Sequence, residues 1–276
     1  MKKHFFRKLF FFIILVIALT IVYGSFLGNT GLVIKEYNIT DDKFPASFKD
    51  FKIGHFSDIL YNDKNDLEKI KEVVTKINDK KLDLVIFTGN LIDEKYTLNE
   101  KEIEKISNEL KKINTIYGKY YVSGSSDKRT EGFDTIMQKS NFTSLNDSHD
   151  SIISKENETF YIFGIDSSSD LKVIKELTNG KESFYKIIAF NKSDVIDEIK
   201  DLKYQLALSG NSLNGQINIP IIKEILLPEN SKNYYEPYYK VNDTKLYISS
   251  GIGTRTIDFR LFNKPSINIY VINKKM

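Results

Sequence analysis

Residues 82–90, LDLVIFTGN, are apolar almost without a break, and they lie between two segments whose apolar residues recur at helical spacing. A strand can be this uniformly apolar only where both of its faces are buried. The flanking segments supply one cover. In 66–79, Leu67, Ile70, Val73, Val74 and Ile77 fall on one helical face, and in 100–114 Ile103, Ile106, Leu110 and Ile113 do the same. With FKIGHFSDI (51–59) before them and KYYVSGSSD (119–127) after, the order is βαβαβ. Such a unit builds a parallel sheet, and sheets of this kind bind ligands in the loops beyond the strand C-termini. The second half predicts a helix around 132–141 and then strands at 159–166, 184–191, 204–211, 245–253 and 266–274. LALSGNSLNGQINIP (206–220) reads as a strand, a tight loop and a second short strand closed by Pro220.

A second feature stands apart from this pattern. From Leu9 to Leu27 no residue is charged, and Lys2, Lys3, Arg7 and Lys8 precede the run. About 19 apolar residues suffice to span a bilayer as a helix. The run is long for a signal-peptide core and no A-x-A cleavage site follows, so an uncleaved anchor is favoured over a cleaved signal. Basic residues stay on the cytoplasmic side, which predicts a single-pass cell-membrane protein with its C-terminal body extracytoplasmic. The organisation expected is an anchor over 1–27, a polar connector over 28–50 with Pro45 near its end, and a domain over 51–276.

Charge and composition exclude several classes. Lys and Arg total 40 against 37 Asp and Glu. The four basic residues ahead of the anchor account for the excess, so the body gives no electrostatic case for nucleic acid. There is no Cys, which removes disulfides, thiolate metal sites and a Cys nucleophile. The Lys, Asn and Ile excess points to an AT-rich bacterial genome.

Five strand-end loops stand in order: SDIL (57–60), TGNLID (88–93), SGSSD (123–127), AFNKSD (189–194) and SGNSLNGQINIP (209–220). Their order and spacing resemble the calcineurin-like metallophosphoesterases, above all the bacterial membrane-anchored branch. That family carries S-D-L-H, T-G-D-x-x-D, G-N-H-[DE], L-x-H-x-P and G-H-T-H-G-G-Q in these places. The tail KLYISSGIGTRTIDFRLFNKPSINIYVI is similar to the family's S-x-G-x-G turn, its Arg and its Pro-led last strand. The resemblance spans roughly residues 40–274. It implies a four-layer α/β/β/α sandwich of two mixed sheets behind the membrane helix. It also implies a dinuclear divalent-metal site, the two ions about 3.5–4 Å apart, that hydrolyses phosphoesters.

Set against those motifs, the ligand positions are largely lost. Asp58 is the one family metal ligand retained. Leu60 stands for a His, Asn90 for the bridging Asp, Ser125 for an Asn, and Ser126 for the His that assists the leaving group. Asn191 replaces another His, and Asn211 and Leu213 replace the last two. Asp93 and Asp127, supporting acids of the second and third motifs, remain. The chain has only three His: His4 ahead of the anchor, His55 inside the first strand, and His149 between two predicted strands. A His-rich dinuclear site cannot be assembled from these.

The resulting expectation is a membrane-anchored pseudoenzyme with no catalytic residues and no cofactor. It would bind an envelope ligand or a protein partner. The alternatives are a residual phosphohydrolase using one weakly held divalent cation such as Mg²⁺ or Mn²⁺, and a scaffold with no ligand. Asp93 and Asp127 are candidate binding residues. So are Tyr234, Tyr235, Tyr238 and Tyr239 of NYYEPYYK (233–240), either as an aromatic rim to the cleft or as ordinary loop packing.

Overall fold

The computed structural model describes residues 2–62, 64–166, 171–220 and 222–275. Among these, twelve strands form two six-stranded sheets. The first is built from β1 (Val33–Asp41), β2 (Phe51–Phe56), β3 (Leu84–Phe87), β4 (Lys119–Tyr121), β5 (Thr143–Ser144) and β12 (Ser266–Lys274), in the order β1-β12-β2-β3-β4-β5. The second is built from β6 (Ser148–Ile153), β7 (Thr159–Ile165), β8 (Lys186–Phe190), β9 (Leu206–Ser209), β10 (Tyr238–Val241) and β11 (Thr244–Ile248), in the order β10-β11-β9-β8-β7-β6. Both sheets are mixed. β2, β3 and β4 are parallel, as are β7, β8, β9 and β11, while β12 runs antiparallel to β2, and β6 and β10 antiparallel to their neighbours.

Side-chain alternation creates the layers. Along β3, Leu84 and Ile86 enter the core between the sheets, and Val85 and Phe87 enter the core beneath the helices. The inter-sheet core adds Ile53, Phe160, Ile162, Ile187, Leu206, Leu208 and Tyr270. Outside the first sheet, α2 (Lys64–Asp79) contributes Ile70, Val73, Val74 and Ile77, and α3 (Glu100–Lys111) contributes Ile106 and Leu110. α4 (Phe133–Lys139) adds Phe133, Ile136 and Met137. Outside the second sheet, Ile174 of α5 (Leu171–Thr178) and Ile196 and Ile199 of α6 (Ile196–Ile199) cover Phe163, Ile188, Ala207 and Ile248. This is the four-layer sandwich expected. Each such buried side chain contributes roughly 1.5–3 kcal/mol.

α1 (Lys2–Val22) continues into a wider π-turn, Tyr23–Leu27. Its apolar side chains from Phe5 to Val22 are exposed, and the helix is long and apolar enough to cross a membrane.

Four local readings change. Residues 28–50 are more than a connector, because β1 lies within them and pairs in parallel with β12 from Val33↔Ser266 to Asp41↔Lys274. Its half-exposed edge position explains its polar look. The second short strand read before Pro220 is only a single bridge, Ile217 to Leu261. Tyr238 and Tyr239 begin β10 rather than ending a loop. His149 lies inside β6, where it stacks on Phe163, rather than between strands.

Candidate functional site

The loops that follow β2, β3 and β4 meet through their backbones. The Asp58 amide donates to the Gly89 carbonyl at 2.9 Å, and the Leu60 amide to the Asn90 carbonyl at 3.1 Å. Asp58, Leu60 and Asn90 all sit in the left-handed region, with φ of 50°, 52° and 61°. Non-glycine residues rarely adopt it, and three in adjoining loops mark a backbone held by its surroundings. Gly89 and Gly124 make the approach possible. A Cβ on Gly89 would lie 2.3 Å from the Gly124 nitrogen, and one on Gly124 would lie 2.2 Å from Asn90 Oδ1. Asp127 fastens these loops. Its carboxylate accepts the amides of Asn90 and Leu91 at 2.7 Å each and of Gly124 at 2.8 Å. Burial pushes its pKa up to about 6, against the downward pull of those three donors.

The loop after β9 is held from the other side. Asn211, Leu213, Asn214 and Gly215 have φ of 66°, 55°, 50° and 69°. Gln216 ties this loop to the 254–261 turn, accepting the Arg255 amide at 2.7 Å and donating to the Phe259 and Ile257 carbonyls at 2.8 and 2.9 Å. Asn263 donates to the carbonyls of Leu213 and Gly215.

At the centre lies Asp58, fully buried. Its Oδ2 accepts the Ser57 hydroxyl at 2.5 Å and the Asn211 amide at 2.8 Å. Its Oδ1 accepts Asn90 Nδ2 at 2.8 Å and Arg255 Nη2 at 3.3 Å. The same Arg255 nitrogen donates to Asn211 Oδ1 at 2.7 Å. Asn90 Nδ2 also reaches the side-chain oxygens of Asn211 and Asn191, at 3.3 and 3.4 Å. The orientation of the Asn90 amide follows from its neighbours, since a carboxylate can only accept and both the amide and the hydroxyl of Ser126 donate to Asn90 Oδ1. Asn191 donates to the Thr88 carbonyl, and Asn211 to Ser231. Arg260, also fully buried, donates to the carbonyls of Ser250 and Gly253 from behind. Burial lowers its pKa to about 10, and Asp58 and Asp258 oppose the shift.

The structure thus gathers Asp58, Asn90, Ser126, Asn191 and Asn211 at one point, as the motif order implies. Leu60 and Ser125 line the same cleft, and Leu213 is buried beside it against Gly251. The cleft holds about 860 Å³, and Asp93 lies on its wall, where its carboxylate accepts the Lys95 amide. Asp127 points away, into the loop backbones, and is a fastener rather than a ligand-facing group. The tyrosines stand elsewhere. Tyr234 donates to Asp197, Tyr235 to Glu224, and the Tyr239 hydroxyl accepts the amides of Tyr235 and Glu236. None of the four, including exposed Tyr238, is among the residues lining the cleft, so of the two readings it is ordinary packing, around the start of β10, that the structure gives, and not an aromatic rim. His55 is buried between the Tyr270 and Thr88 hydroxyls, at 3.1 and 2.9 Å, and burial lowers its pKa to about 3.

Arg255 escaped the sequence reading. It follows the S-x-G-x-G turn by two residues, and it is an Arg in a chain whose basic residues are almost all Lys. At a site needing a planar, permanently charged fork, Arg is not interchangeable with Lys. That choice was the available signal.

These residues do not fit a dinuclear metal centre. Asn90 turns donors toward Asp58, where two cations would need a bridging acceptor. Leu60 and Leu213 offer no ligand atom, and a guanidinium already faces Asp58. Among the described residues, no three His, Cys, Asp or Glu side chains gather into a metal-binding group.

No family model matches the chain. It is 27% identical over 258 residues to the uncharacterized metallophosphoesterase YkuE of Bacillus subtilis, covering 91% of this chain and 88% of that protein. Over 277 residues it is 25% identical to the uncharacterized metallophosphoesterase YkoQ of the same organism, covering 95% and 100%. A transmembrane protein with metallophosphoesterase domain from Danio rerio is 21% identical over 281 residues, covering 95% of this chain and 62% of that protein. Among solved structures, TT1561 of Thermus thermophilus aligns with a TM-score of 0.48 at 11% identity, covering 73% of this chain and 90% of that one.

Proposed function

We propose that this chain, which belongs to the calcineurin-like metallophosphoesterase family, is a membrane-anchored binding protein in which a guanidinium and carboxamides have taken over the place of the catalytic metals. One observation carries the reading. Arg255 Nη2 lies 2.7 Å from Asn211 Oδ1 and 3.3 Å from Asp58 Oδ1, so a permanent cation of the protein answers the one retained metal-ligand carboxylate. A divalent ion would meet that charge at close range and would find amide donors turned toward it. The same network fills the lone pairs of Asp58 with donors, and the Ser126 hydroxyl donates to Asn90 Oδ1 rather than to a base.

The anchor reading draws on the exposed apolar helix and on the relative from Danio rerio whose name describes a transmembrane protein. The basic residues before the helix put the body outside the cytoplasm, and protease added to intact protoplasts reports that orientation. The cleft then serves recognition of an envelope ligand or partner rather than turnover.

The test is metal content and hydrolysis of bis(p-nitrophenyl) phosphate in Mn²⁺, for the full-length protein and for Asp58→Ala. No bound Mn or Fe and no difference between the two proteins are expected. Turnover that disappears in Asp58→Ala, or stoichiometric metal that Asp58 retains, would overturn the proposal. A single-cation phosphohydrolase would show itself in the same way, because such an ion must displace Arg255 from Asp58.

A further inference from the structure

The end of the N-terminal helix is built into the cleft wall. Ser25, Phe26, Asn29 and Thr30 line it together with Arg255 and Ile257. The Arg260 amide donates to the Gly24 carbonyl at 3.0 Å, and Asn29 donates to Asp258. Two glycines spaced four apart allow this close approach. A Cβ on Gly24 would fall 2.2 Å from the Phe259 ring, and one on Gly28 would fall 2.0 Å from the Arg260 carbonyl oxygen. Small residues at such spacing let backbones pack directly. The cleft mouth is therefore fixed to the point where the apolar helix ends.

Around that point lie apolar side chains that the fold leaves uncovered. Phe26 and Leu27 close the helix, and Ile257 and Phe262 bracket the turn that grips Gly24. Ile225 and Leu226, also exposed, come shortly before Pro228, which lines the same cleft. Phe262 is 69% exposed and sits at φ 56°, so a bulky aromatic in left-handed backbone is also denied burial. Thr256, just before exposed Ile257, is likewise left-handed at φ 62°. Strain held in a sparsely populated conformation points to a use for the side chains it presents. Exposed Lys264 stands beside Phe262, within reach of Gly31.

We propose that Ile225, Leu226, Ile257 and Phe262 form an apron, continuous with the anchor, that seats the body on the bilayer interface, so that the cleft opens at the boundary between lipid and water. The occupant is the bilayer because the patch continues an apolar helix that ends within it. An aromatic ring beside a lysine is also the pairing that headgroup depth accommodates. The inference rests on the anchor reading.

The chain contains no Trp, so a single introduced Trp reports only its own surroundings. Leu226→Trp, Ile257→Trp and Phe262→Trp are each reconstituted as full-length protein in phosphatidylcholine vesicles brominated near the top of the acyl chains. Leu15→Trp marks the anchor. Ile116→Trp and Ile153→Trp mark the far end of the body, since both exposed residues lie by the N-terminal ends of the parallel strands, away from the cleft. Loss of most emission is expected at 226, 257, 262 and 15, with none at 116 and 153. Quenching at Leu15 alone overturns the apron and leaves the anchor standing. Absence of quenching at Leu15 overturns both. Equal quenching at 116 and 153 also overturns the apron, because the body would then contact lipid without preference.

Discussion

Asp127 and Asp58 are both buried acids at the mouth of the first sheet, and they have opposite kinds of neighbour. Asp127 meets three backbone amides, from Asn90, Leu91 and Gly124. Asp58 meets one backbone amide, that of Asn211, and otherwise side chains: Ser57, Asn90 and Arg255. A carboxylate bonded to backbone defines where loops run, and no change of neighbouring side chains can replace it. A carboxylate bonded to side chains belongs to a set whose members can be exchanged together. Under the proposed reading, the loop framework is the part that stays fixed, and the cleft's side chains are the part that can be exchanged, imidazoles and a bridging acid for amides and a guanidinium.

The largest effect should come from exchanging the set back. Leu60→His, Asn90→Asp, Ser125→Asn, Asn191→His, Asn211→His and Leu213→His restore the family's ligand types around Asp58. If Arg255 holds the cation position, this variant should take up little Mn²⁺ until Arg255→Ala is added. With it, metal at about a thousand times its Kd should stabilise the fold by about 4 kcal/mol. Metal analysis and melting with and without Mn²⁺ read both effects. Equal uptake with and without Arg255→Ala would mean that the guanidinium does not stand where the metals would.

The two acids themselves give the next test. Asp127→Ala leaves three buried amides without partners and should cost on the order of 3 kcal/mol, a fall of about 10 °C in melting temperature. Asp58→Ala should cost less, because Ser57, Asn90 and Arg255 can turn toward one another or toward water in the cleft. Circular dichroism melts of the two variants decide it, and the reverse order would break the comparison.

The smallest effect is a slope. The Asp127 pKa is raised from 3.8 to about 6, so the folded state holds its proton more tightly than the unfolded chain does. That contribution to stability is full below pH 4 and is lost as pH rises through 6. His55 is lowered from 6.5 to about 3, so its contribution is full above pH 6.5 and is lost as pH falls toward 3. Between about pH 4 and 6 the two slopes, each about 1.4 kcal/mol per pH unit, oppose one another. Asp127→Asn should leave His55 unopposed, so that denaturation midpoints fall with acidification across that window. A variant whose pH profile parallels the parent's would show that burial does not raise Asp127 in the folded protein.

What the sequence made legible follows the same division. β2, β3 and β4, with α2 and α3, were readable because their burial is written in local periodicity. β1 was not, because VIKEYNITD leaves much of its surface half exposed and its partner, β12, lies at the other end of the sequence. At the site, the loops and Asp58 were readable from motif order alone. Arg255 was not, because its role depends on Gln216 and Asn263 drawing the 254–263 segment against the 211–216 loop, a contact no local pattern encodes. The tyrosines of 233–240 stayed open to two readings for a related reason: a run of aromatic residues reports a binding rim or ordinary packing equally until the hydroxyl partners are known, and here those partners give packing.

The position of β12 bears on how the protein is made. β12 is wedged between β1 and β2, so neither β1 nor that side of β2 has a partner until residues 266–274 have left the ribosome. If the apolar helix enters the membrane first, β1 and β2 wait as unpaired edges while the rest of the chain is synthesised. Exposed edges of this kind invite pairing with other chains. The face of β1 that carries exposed Glu36, Asn38 and Thr40 then protects a strand that must stay single for most of translation, and ribosomes stalled before residue 266 would leave that edge open.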